Sequence, residues 1–109
     1  MANSKISNPY SKIVYTPEAE NSRITFHENS YVAERNGILT VSLRFTLNVN
    51  VTSVDLLGTI GTTIPKNIQL SCATSSGPKR IGIDANGGIF PYESISKNDV
   101  VFITYAVVK

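Results

Sequence analysis

The run Ile38-Leu-Thr-Val-Ser-Leu-Arg-Phe-Thr-Leu-Asn48 decides what kind of fold this chain can adopt. Leu39, Val41, Leu43, Phe45 and Leu47 are separated by Thr40, Ser42, Arg44 and Thr46. Side chains on a strand point alternately to opposite faces, so this pattern puts an apolar row on one side and a polar row on the other. A helix would scatter both rows around its axis. The segment therefore reads as a half-buried strand of an antiparallel sheet, one face on a core and one in water. The alternation runs on through Val49 and Val51. That is long for one straight strand, so a bend, bulge or strand end is expected near residues 47–50.

The flanking sequence supplies partners. Asn36-Gly37 precedes the run, and both residues tolerate the positive φ of a type I′ hairpin turn. Residues 31–35 should therefore pair with 38–46. Ile24 and Phe26 alternate with Arg23, Thr25 and His27 in a further short strand. Downstream, residues 53–60 and 67–74 read as strands around the irregular link Gly61-Thr-Thr-Ile-Pro-Lys66. Ser75 to Lys79 is a turn, and Ala85-Asn-Gly-Gly88 turns a second hairpin. In that hairpin Ile81, Ile83, Ile89 and Phe90 are expected to pack inward, with Pro91 confining the returning strand to an edge or an end. Residues 1–20 read as a linker or an N-terminal edge segment, and 21–109 as one β-domain. No segment supports a helix. The expected architecture is all-β, an antiparallel β-sandwich or jelly roll of about eight or nine strands.

The last strand differs from the rest. In Val100-Val-Phe-Ile-Thr-Tyr-Ala-Val-Val108 both faces are apolar. Val100, Phe102, Thr104, Ala106 and Val108 lie on one, and Val101, Ile103, Tyr105 and Val107 on the other. A strand covered on both sides is either central and roofed by a loop of its own chain, or shared with a second copy. We expect the second, with Val101, Ile103, Tyr105 and Val107 at the oligomer boundary. A chain of 109 residues buries a modest share of its surface, which makes assembly a natural source of added stability.

Charge and composition exclude several functions. A net charge of +2, with Lys79-Arg80 the one adjacent basic pair, gives no nucleic-acid footprint. No stretch approaches the roughly 20 apolar residues of a membrane helix. Met1 to Ser11 carries no apolar run of signal-peptide length, so the expectation is a chain made in a reducing cytosol. Asn50-Val51-Thr52 matches a glycosylation sequon but reads as coincidence in that setting.

Catalytic and metal constellations are equally absent as patterns. Cys72 is the single cysteine and falls in phase with Ile68 and Leu70, which reads as a buried thiol. His27 is the single histidine and sits on a polar strand face. With no second His or Cys, no zinc set can be assembled from those two types. No serine lies in a nucleophile elbow, no local pattern pairs carboxylates, and Gly58-x-x-Gly61 lacks the residues of a phosphate loop. The expectation is a non-enzymatic chain without cofactor or metal.

A resemblance carries the reading further. The blocks Val32-Ala-Glu-Arg-Asn-Gly-Ile-Leu-Thr-Val-Ser-Leu-Arg-Phe-Thr-Leu-Asn48, Leu56-Leu-Gly-Thr-Ile-Gly-Thr-Thr-Ile-Pro-Lys-Asn-Ile-Gln-Leu70, Lys79-Arg-Ile-Gly-Ile-Asp-Ala-Asn-Gly-Gly-Ile-Phe-Pro-Tyr92 and Asp99 to Val108 follow one another in order. In this order they resemble the C-terminal domains of phage tail-fibre and baseplate receptor-binding proteins. Gly37-Ile38-Leu39-Thr40-Val41 matches the strand after a turn, Ile64-Pro65 the Leu-Pro position, and Ile81 to Ile89 the Gly-bearing hairpin. The chain departs from the pattern in having no second Pro after Pro65, and in having no Trp.

The resemblance implies a homotrimeric tip domain carried on the virion tail and made in the host cytoplasm. Such a domain sits among other tail or baseplate proteins and binds host cell-surface saccharide without catalysis. Aromatic faces cover sugar C–H groups while Asp, Asn and Arg fix the hydroxyls. Arg80, Asp84, Asn86 and Tyr92 are the candidate saccharide contacts here. Two alternatives stand beside it. One is a structural trimerisation or adaptor domain of a tail fibre or baseplate without ligand, and the other a cellular lectin-like jelly-roll domain.

Overall fold

The computed structural model describes residues 12–109. Among them ten strands form, and no helix. They are β1 (Lys12–Tyr15), β2 (Glu18–Ala19), β3 (Ile24–Phe26), β4 (Tyr31–Arg35), β5 (Ile38–Leu47), β6 (Gly58–Thr59), β7 (Ile68–Thr74), β8 (Lys79–Ile83), β9 (Gly88–Pro91) and β10 (Val100–Val108). All pair antiparallel. The order is β1-β4-β5-β10-β7-β8-β9-β6-β2, with β3 also on β5, and the sheet curls into a half-barrel.

β5 is the spine of one half, as its alternation predicts. Leu39, Val41, Leu43, Phe45 and Leu47 are all buried. β4 pairs with its first part, from Arg35↔Ile38 to Tyr31↔Ser42, and β3 with its last part, from Phe26↔Phe45 to Ile24↔Leu47. The Asn36-Gly37 turn has φ of 54° and 77°, the positive values of a type I′ connection. β5 ends at Leu47, where the sequence predicts a break. The core it faces is completed by Leu57, Ile60, Ile81, Ile83, Ile89, Ile95, Val101 and Ile103. Cys72 joins that core, and burial pushes its thiol up to about 11.

β10 joins the two halves. It pairs with β5 along its length, from Val100↔Thr46 to Val108↔Ile38. It pairs with β7 at Val101↔Thr74 and Phe102↔Ala73, after which β7 turns away to pair with β8.

Three expectations are corrected. Val101 and Ile103, placed at an oligomer boundary, are fully buried in the chain's own core, and Tyr105 and Val107 pack half-buried against it. The reason is register: these residues stand opposite Phe45, Leu43, Val41 and Leu39, the inward row of β5. The outward face of β10 is the other one, with Phe102, Thr104, Ala106 and Val108 exposed. Phe90 likewise faces outward, because it pairs with Gly82 while Ile89 and Pro91 take the inward positions beside Ile83 and Ile81. Of residues 53–60, read as one strand, only Gly58–Thr59 is extended. Its front end folds into a turn in which Thr52 N–H donates to Asp55 Oδ2 at 2.8 Å and Val54 takes a φ of 64°.

Of residues 1–20, read as linker or edge, 1–11 lie outside the described residues. Lys12–Tyr15 form an edge strand on β4.

Candidate functional site

The β8–β9 hairpin presents one outward face. Arg80, Gly82 and Asp84 alternate with the buried Ile81 and Ile83 along β8, and Gly88, Phe90 and Tyr92 alternate with Ile89 and Pro91 on the return. The four candidate residues therefore share a face, in two groups about 13 Å apart by strand rise.

At the turn, Asp84 organises the backbone. Its Oδ1 accepts N–H bonds from Asn86 at 3.0 Å and Gly88 at 2.8 Å. Gly87 sits at φ 89°, and a Cβ there would overlap the Thr62 carbonyl oxygen. The loop is clamped from the side as well. Ala85 N–H donates to Asn67 Oδ1 at 2.8 Å, Ile64 N–H to the Ala85 carbonyl at 3.0 Å, and Ile60 N–H to the Gly87 carbonyl at 2.9 Å. This turn is a fixed shelf, and Asn86 projects from it exposed.

Beside the shelf runs a shallow groove of about 250 Å³, lined by Glu18, Glu20, Leu56, Thr59, Asp84, Asn86 and Phe90 among others. It continues into a second recess over Thr16, Gly61, Thr62 and Thr63, which shares Glu18, Thr59 and Asn86 with it. Asp84 and Asn86 are thus groove residues. Arg80 and Tyr92 lie at the other end of the hairpin and do not line it. Tyr92 N–H donates to the Arg80 carbonyl at 3.0 Å, and Glu93 Oε2 accepts from Arg80 N–H at 2.9 Å. The Arg80 Nε stands 3.9 Å from that same carboxylate oxygen. The Tyr92 ring leans back over Gly82, where any Cβ would overlap it. Tyr92 as a whole stays 43% exposed.

Three groove residues were not legible as site residues. Phe90 alternates like a core residue and carries no outward signal in sequence. Glu18 and Glu20 lie in the stretch read as a linker edge. They reach the groove because β2 pairs with β6, and β6 with β9.

His27 sits apart on β5's outward side, with Nε2 2.7 Å from Thr46 Oγ1. Among the described residues no three His, Cys, Asp or Glu side chains gather closely enough to hold a metal ion. The chain matches no protein-family model and no curated protein.

Proposed function

We propose that this chain is a non-catalytic receptor-binding tip domain of a phage tail, and that it holds host cell-surface saccharide along the outward face of the β8–β9 hairpin. The tail setting rests on the resemblance of the four sequence blocks. The place rests on one observation: Phe90 and Tyr92 share that face with a groove whose polar residues are Asp84, Asn86, Glu18, Glu20 and Thr59. A half-buried Phe90 ring beside fixed carboxylate and amide groups, with the exposed Tyr92 further along the same face, suits a sugar ring, whose C–H faces are apolar and whose rim carries hydroxyls. A clamped turn also favours binding, since little freedom remains to be lost when the ligand arrives.

In this reading the half-barrel is a jelly-roll variant and the working unit is a homotrimer, held among other tail or baseplate proteins on the virion. The trimer boundary moves to the outward face of β10, around Phe102, Ala106 and Val108. That apolar face also supports a second reading, a trimerisation or adaptor domain without ligand.

A glycan array probed with the wild-type chain and with Tyr92→Ala and Phe90→Ala tests the proposal. Binding by the wild type and its loss in both variants supports it. Binding that survives both variants would place the sugar elsewhere, and no binding by an oligomeric wild type favours the adaptor.

A further inference from the structure

On the opposite half of the molecule, the outward face of β1, β4 and β5 holds a trough of about 540 Å³. Its floor is made by small residues, Ala33 and Thr40, which stand opposite one another in the register. Tyr31 rises at one end, and Lys12, Arg35, Asn36 and Ile38 at the other. Tyr31 and Ile38 are about half exposed, at 48% and 47%. We propose that this trough binds an anionic group, a carboxylate or phosphate carried on a ring-bearing ligand such as an acidic sugar.

The observation that carries it is a like-charge pair. Lys12 and Arg35 are direct cross-strand partners on the outward face. Like charges directly opposite on adjacent strands repel and cost stability. Among the described residues no acid is paired with either of them. Glu34, the nearest acid in sequence, points to the other side of β4. There it accepts from Tyr15 O–H at 2.9 Å and lies 3.6 Å from Lys109 Nζ. Among the described residues the two ion pairs are Lys109–Glu34 and Arg80–Glu93, so neither involves Lys12 or Arg35.

Arg23, Arg44, Arg80 and Lys109 each have a partner of their own. Arg23 donates to the Leu56 carbonyl at 2.6 Å, and the Arg44 guanidinium lies 5.1 Å from the Phe102 ring centroid. Lys12 and Arg35 are instead aimed at an open trough. An oxyanion between them turns a repulsion into two charge-assisted contacts, and the planar guanidinium can grip two of its oxygens at once. Tyr31 stands about 13 Å along β4 from Arg35, far enough for a ring to lie over Ala33 and Thr40 and meet the tyrosine edge. The trough is separate from the groove by the β8–β9 hairpin, and this assignment does not rest on the saccharide reading.

The test is an amide chemical-shift titration of the full chain at low salt with three probes: sodium glucuronate, inorganic phosphate and glucose. Glucuronate is expected to shift Lys12, Tyr31, Ala33, Arg35 and Asn36 saturably. Phosphate should shift the Lys12–Arg35 end and leave Tyr31 in place, and glucose should leave the trough unchanged. The relative affinities of glucuronate and phosphate tell which anion is preferred. The double variant Lys12→Gln/Arg35→Gln should keep a folded spectrum, since it removes a repulsion, and should lose about tenfold or more in affinity. Lys79→Gln should bind as the wild type does. The proposal is overturned if the double variant binds as tightly as the wild type, if shifts spread over every cation alike, or if neither anion saturates the trough.

Discussion

The ring of Tyr92 lies on the backbone of Gly82, the residue that stands opposite Phe90 on the neighbouring strand. A glycine at that position gives the tyrosine its floor. With any side chain there, the ring must lift into water.

This relationship fixes the sign of a double-mutant cycle. Gly82→Ala alone should destabilise by about 1 kcal/mol, because the methyl group and the ring overlap. In a Tyr92→Ala background the same change should be neutral or slightly stabilising, since alanine suits a strand better than glycine. Urea unfolding of the four proteins reads the coupling directly; equal costs in both backgrounds would remove the ring from Gly82.

Asp84 separates scaffold from ligand contact. Asp84→Ala removes the acceptor shared by the Asn86 and Gly88 N–H groups and should cost about 1–3 kcal/mol. Asp84→Asn keeps an Oδ1 acceptor and should recover most of that in thermal unfolding. If Asp84→Asn restores stability yet loses glycan binding, the carboxylate itself meets the sugar.

Val54 offers a gain. It is β-branched, takes a φ of 64° and leaves its side chain 76% exposed, so it carries backbone strain without contributing to the core. Val54→Asn should stabilise by roughly 0.5–1 kcal/mol, since asparagine tolerates this conformation. A lower midpoint in denaturant would contradict it.

Cys72 titrates above the range of an exposed thiol, raised from 9.0 to about 11 by burial. The neutral thiol is the form the folded core accepts. Its stabilising share is therefore complete below pH 9 and is lost as pH climbs toward 11, where the unfolded chain ionises first. The stability difference between wild type and Cys72→Ala should shrink over that interval, by on the order of 2 kcal/mol. A thiol-reactive dye at pH 8 should modify the native chain far more slowly than the unfolded one.

The strand spine was readable because β5 obeys alternation without exception and the Asn36-Gly37 turn demands positive φ. The same logic fails where both faces of a strand are apolar. In β10 nothing in the sequence says which row is inward; the answer comes from pairing, which sets Val101 opposite Phe45 and Ile103 opposite Leu43. Phe90 fails for a related reason, since its inward neighbours Ile89 and Pro91 are as apolar as itself. Arg80, Asp84, Asn86 and Tyr92 were legible as one hairpin. Glu18 and Glu20 were not, because they reach the groove through β6, a two-residue strand with no pattern to read. The Lys12–Arg35 pair was hidden by the distance along the chain that the β1–β4 register closes.

β10 joins β5 to β7, and every other strand lies on one side of that junction or the other. During synthesis it emerges after all the strands it must join. The nascent chain can close the Asn36-Gly37 and Asp84–Gly88 hairpins early, because both are local. The two halves then wait, with the inward rows of β5 and β8 uncovered, until residues 100–108 arrive. Folding of this domain is accordingly a late, long-range event, slow by the standard of its size and exposed to aggregation until its final strand is threaded into place.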